Sequence, residues 1–159
     1  MNKKLYSILL LLVGVVMTMT FTACGSDDDE PQFNTVTKSD LTSPWMILPI
    51  SQVNDDSFSF LAFENNRAAI GTMNDDGTVS GVVITDSWSI SNGIVKVNGR
   101  ELGNATKGTH KGVTVIYIDN EMYLPSNVKV DGVSIEDSFL EGGISREEFW
   151  QYLEAANGK

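Results

Sequence analysis

The residues able to do chemistry are few in this 159-residue chain, and they are scattered. It has one histidine, His110, and one cysteine, Cys24. His110 lies in Asn98–Gly112, a Gly- and Lys-bearing stretch with no apolar period that reads as a long mobile loop. With no obvious partner acid, it reads as a solvated loop histidine rather than a general base. Asp55-Asp56, Asp75-Asp76 and Glu136-Asp137 are carboxylate pairs, but each adjoins a turn signal, where acids serve solvation and turn geometry. Gly77-Thr78-Val79-Ser80-Gly81 places its serine one position too late for a G-x-S-x-G nucleophile elbow. Asn74-Asp75-Asp76-Gly77 lacks the alternating acids and distal glutamate of a calcium loop. The expectation is a protein that is not an enzyme and uses no cofactor or metal.

Cys24 has a different setting. Met1-Asn2-Lys3-Lys4 is a short basic segment, and Leu5 to Phe21 is almost wholly apolar, the two parts of a secretory signal. The 17-residue run is short for a transmembrane helix, which needs about 20. Acids, not a basic stop-transfer flank, follow it. Phe21-Thr22-Ala23-Cys24 resembles the lipobox of bacterial lipoproteins, with Phe21 where Leu is usual. Asp27-Asp28-Asp29-Glu30 resembles the acidic export signal of Bacteroidota-type surface lipoproteins. The resemblance implies cleavage before Cys24, acylation of its thiol, and an outer-membrane anchor with the domain on the cell surface. A periplasm-facing domain on a merely solvated acidic linker is the alternative. Stable anchoring takes two or more acyl chains.

Cleavage there leaves 136 of the 159 residues, enough for one domain with a core of its own. The signal removes Lys3 and Lys4 from 11 basic residues, so nine face 21 acids, a formal charge of −12. Such a surface excludes nucleic acid and anionic headgroups as natural partners. The expected organisation is a signal at 1–23, the lipidated cysteine and an acidic flexible tether at 24–40, and a β domain at 41–159.

The elements are serial hairpins. Met46 to Ile50 forms an apolar run that Pro44 and Pro49 confine to a sheet edge or to strand ends. In Ser57–Glu64, Phe58 and Phe60 point one way while Leu61 and Phe63 point the other. Both faces are therefore buried, or a bulge near Phe60-Leu61 switches the pattern. Asp75-Asp76-Gly77 suits a three-residue loop setting Met73 opposite Val79 and Gly71 opposite Gly81. Asn92-Gly93 predicts a type I′ turn pairing Ile90 with Val95 and Trp88 with Val97. Val113–Ile118 and Glu121–Leu124 read as a hairpin around Asp119-Asn120, and Val128–Ile135 as another around Asp131-Gly132. Ser145 and Glu148 form a capping box opening a short helix with Phe149, Trp150, Tyr152 and Leu153 on its apolar side. A helix this short needs a surface to dock on, either the sheet or a partner.

The fold class is all-β: an antiparallel meander, closed or partly open as a barrel, with a short C-terminal helix. Leu41-x-Ser43-x-Trp45 resembles the first-strand L-x-G-x-W of the lipocalin-like domains of small bacterial lipoproteins, with Ser43 where Gly is usual. Asp86-x-Trp88-x-Ile90-x-Asn92-Gly93-Ile94-x-Lys96-Val97 resembles their mid-domain hairpin. The likeness covers about Leu41 to Leu124 and implies an up-and-down barrel whose interior binds a small apolar ligand. Trp45, Phe58, Phe60, Trp88 and Tyr117 are the candidate cavity wall; the same rings would also serve as plain core. The alternative is a structural or interaction module of a surface assembly, using an open sheet edge or the Phe149/Trp150/Tyr152 face.

Overall fold

In the computed structural model, Asn92 and Gly93 take φ of 51° and 80°, the left-handed pair that a type I′ turn demands. Strands β6 (Trp88–Ser91) and β7 (Ile94–Val97) pair across this turn in the expected register, Trp88 with Val97 and Ile90 with Val95. The structure describes residues 33–52, 56–110, 112–129, 132–137 and 142–157; the signal segment and Cys24 lie outside them. The other strands are β1 (Asn34–Thr35), β2 (Met46–Pro49), β3 (Ser57–Phe63), β4 (Ala68–Asn74), β5 (Val79–Thr85), β8 (Arg100–His110), β9 (Val113–Ile118) and β10 (Glu121–Pro125). Helices α1 (Lys38–Thr42) and α2 (Arg146–Asn157) complete the fold.

The strands form one antiparallel sheet in the order β5-β4-β3-β2-β10-β9-β8-β7-β6, with β1 beside β8. Eight antiparallel steps separate β5 from β6, so the two run in the same direction. Only Asp86 and Ser87 join them, far too few for the crossover that side-by-side parallel strands require. They are therefore consecutive pieces of one strand, bent at Asp86-Ser87, passing from β4 on one side to β7 on the other. Such a corner is how a strand switches between packed sheets. The Asn98 amide donates to Ser87 O at 2.6 Å and the Trp88 indole donates to Glu64 O at 2.7 Å, fixing the corner. No ladder joins β5 to β6 among the described residues. The barrel is thus partly open there, while β2 and β10 close it on the other side.

The hand of the curl follows from one contact. The rings of Phe63 and Trp88 lie 4.8 Å apart. Their strands are six steps apart through β2, and a flat sheet would separate them by roughly 29 Å. The sheet must curl so that the Phe63 face is inside. Ile47, Leu61, Phe63, Val95, Val97 and Ala105 fill this inner face, and Leu41 of α1 plugs it. Outside, Met46, Leu48, Phe58, Phe60 and Met73 pack beneath Phe149, Trp150 and Leu153 of α2. Each buried aromatic or aliphatic side chain contributes roughly 1.5–3 kcal/mol.

Several expectations hold. Strand β3 is buried on both faces and pairs with β4 without interruption. Gly77 takes φ 83° and Met73 faces Val79, while Ser145 and Glu148 make their reciprocal cap. Pro49 ends a strand rather than marking an edge, since β2 lies between β3 and β10.

Others are corrected. Gly71 does not face Gly81, because a bulge shifts the β4–β5 register between Ile70 and Thr72. Most of the stretch expected as a loop is strand: Asn98 and Gly99, with φ 51° and 72°, turn the chain into β8, Arg100–His110, the longest described strand of the sheet. Its period was hidden because the bulge near Gly103 puts Leu102 and Ala105, three apart, on the same inner core. The tether assigned to 24–40 cedes its last residues to β1 and α1. The turn of the hairpin expected at Val128–Ile135 falls on Val130 and Asp131, which lie outside the described residues; Val133 makes a bridge, but Ile135 opens a helical turn over 135–137 instead of ending a strand.

Candidate functional site

Helix α1 begins because Thr37 and Asp40 cap it reciprocally. The Thr37 amide and hydroxyl both donate to Asp40 Oδ2, at 2.8 and 2.6 Å. The other carboxylate oxygen accepts from Lys107 Nζ of β8 at 2.7 Å. Lys107 is the register partner of Ile116, an inner-core residue, so its stem rises from the inner face. The plug and the barrel wall are joined by this ion pair.

Above the pair lies an open groove of about 550 Å³. Ser39, Asp40, Ser43 and Pro44 form one bank; Lys107 and the start of β9, with Thr114 and Ile116, form the other. Pro125, Asn127 and Lys129 close the end. Barrel mouths and clefts of this size are ordinary places for small ligands. Partial burial would raise the Asp40 carboxyl, but hydrogen bonds from Lys107 and Thr37 outweigh it and hold the group below its ordinary range. Lys129 pairs with Asp137 at 3.2 Å, and that contact, helped by Ser134, likewise lowers the Asp137 carboxyl. Hydroxyls, an amide and two ion-paired lysines therefore line this space together with Pro44, Val113, Ile116, Pro125 and Val128. This suits a ligand that hydrogen-bonds. An ionised, paired Asp40 is poorly placed to act as a general acid or base.

A second groove, about 580 Å³, runs past Glu64, Asn66, Arg67, Asp86 and Arg146. Its cations are committed. Arg146 Nη2 donates to Thr42 O at 2.7 Å and Phe63 O at 3.0 Å, tying the start of α2 to the ends of α1 and β3. Arg67 donates to Glu64 at 2.9 Å, pairs with Glu154, and lies over the Trp150 ring at 4.3 Å. This groove is a structural knot.

The candidate wall residues do not line one chamber. Trp45, Phe58 and Phe60 belong to the outer core, with Trp45 and Phe60 rings 6.3 and 5.9 Å from Phe149. Trp88 packs on the inner core. Tyr117 stands on the outer wall, edge-on to Phe33 at 5.5 Å. Of the helix face, Phe149 and Trp150 are fully buried and Tyr152 is exposed. His110 ends β8 with Nε2 buried and unpartnered among the described residues.

The groove residues escaped sequence reasoning unevenly. Thr37-x-x-Asp40 is a capping-box signature just ahead of Leu41 and could have announced α1. Nothing local marks Lys107, whose role depends on a strand partner and a helix 67 residues away. Among the described residues, no group of three His, Cys, Asp or Glu side chains is arranged to hold a metal ion. Compared with protein-family models, curated proteins and solved structures, the chain matches none.

Proposed function

We propose that this chain is a lipid-anchored, non-catalytic binding domain of the outer-membrane surface that holds a small polar ligand at its barrel mouth. The anchor is Cys24, on the resemblance of its flanks to a lipobox. The observation that supports the binding part is the groove between α1 and the β8–β10 wall, where the Ser39, Ser43 and Thr114 hydroxyls and the Asn127 amide stand beside the ion-paired Lys107 and Lys129. An apolar ligand fits less well, because Trp45, Phe58 and Phe60 are spent in packing against α2. Titration with small carboxylates and polyols, followed by amide chemical shifts, tests the reading. Shifts should cluster on Ser39, Lys107, Thr114 and Asn127 and disappear in Lys107→Ala. Shifts confined to residues around Trp88 would transfer the site to the inner core and defeat this reading.

An interaction module is the second reading, favoured by the register partners Ile70 and Val83, which are 36% and 56% exposed on β4 and the edge strand β5. An extended segment of another protein would add to that edge. Pull-down from intact membranes with and without Val83→Lys discriminates: a partner lost in the variant supports the module, and the same capture by both excludes this edge.

A further inference from the structure

We propose that the outer wall bearing Phe33 and Tyr117 rests on the lipid surface, at headgroup level; this rests on the reading of Cys24 as the anchor. Asn34 pairs with Lys107 on β8, so the chain arriving from Cys24 joins the fold at Phe33. Nine residue steps separate Cys24 from Phe33. They span at most about 32 Å when fully extended. A domain of this size has a radius of gyration of about 14 Å, and so is roughly 35 Å across. The tether is shorter than the body it holds. The wall at Phe33 is the one kept close to the lipid.

That wall is suited to the position. Phe33 is 54% exposed and its ring meets Tyr117 edge-on at 5.5 Å. Tyr117 is the register partner of Met122, which packs on the outer core, so the pair faces outward and away from the barrel interior. A phenyl ring beside a phenol presents apolar area with a polar tip, the combination that settles at a membrane–water interface. The formal charge of −12 directs the contact to zwitterionic headgroups, met by rings rather than by lysines.

The test uses the full lipidated chain reconstituted in phosphatidylcholine vesicles with brominated acyl chains. Phe33→Trp is compared with Asp75→Trp, in the β4–β5 turn, after subtracting the parent emission of Trp45, Trp88 and Trp150. Blue-shifted, quenched added emission from Phe33→Trp, with unshifted and unquenched emission from Asp75→Trp, is expected. Flotation of the protein with unquenched Phe33→Trp emission overturns this inference alone. Failure to float with the vesicles at all overturns the anchor reading, and this inference with it.

Discussion

Lys107 Nζ and Asp40 Oδ1 meet at 2.7 Å, joining the longest strand of the barrel to the five-residue helix that plugs it. Both side chains are partly exposed, at 34% and 23%, so the pair is screened and its coupling modest. Lys107→Met and Asp40→Asn should each destabilise the fold by about 1 kcal/mol, and the double variant by less than the sum. Urea denaturation of the four proteins measures the coupling. Strict additivity would mean that plug and wall are independent.

The same pair predicts a pH dependence. The Asp40 carboxyl is held below its ordinary range, so the unfolded chain binds its proton more readily than the native one. Its contribution is present above the unfolded value of 3.8 and is lost as pH falls through the native one. Melting temperature should therefore fall less steeply below pH 4 in Asp40→Asn than in the parent.

Glu136 runs the other way. Burial raises its carboxyl, Asp137 adds to this, and Arg146 and the Trp45 hydrogen bond oppose it without prevailing. The native state binds this proton more readily, so stability from Glu136 grows as pH falls and is lost as pH rises through the native value. Glu136→Gln keeps an acceptor for Trp45 and removes the charge. It should be as stable as the parent or more so at pH 7, the advantage vanishing near pH 4, in paired thermal melts.

Phe60 lies over Gly71, its partner across the β3–β4 ladder. A Cβ at Gly71 would stand 2.8 Å from Phe60 Cζ. Gly71→Ala should cost about 1–3 kcal/mol by overpacking, since the ring is sealed beneath α2. Adding Phe60→Leu should cost less in the Gly71→Ala background than in the parent. An equal cost in both would show that the ring and the glycine are uncoupled.

The corner of the bent strand offers a further test. Trp88→Phe retains the ring contact with Phe63 but removes the indole donor to Glu64 O. A loss of about 1 kcal/mol is expected. Hydrogen exchange should accelerate first at the Asn98 amide, which holds the other side of the corner.

What the sequence determined by itself is local. Asn92-Gly93, Asp75-Asp76-Gly77 and Asp119-Asn120 carry the left-handed or turn-forming residues that set hairpin register within a few positions. Ser145 and Glu148 announce α2 because the capping bonds span only three residues. Phe58, Phe60, Leu61 and Phe63 show a strand buried on both sides, but not which side is inside. That choice belongs to the tertiary structure, because it depends on the curl that brings Phe63 to Trp88. Strand β8 was illegible for a related reason. Its two glycines and Lys107 carry no apolar period, and a bulge breaks the two-residue period by which strands are read. The mouth groove is non-local throughout: Asp40, Lys107 and Asn127 have no sequence relationship until the barrel brings α1, β8 and the end of β10 together.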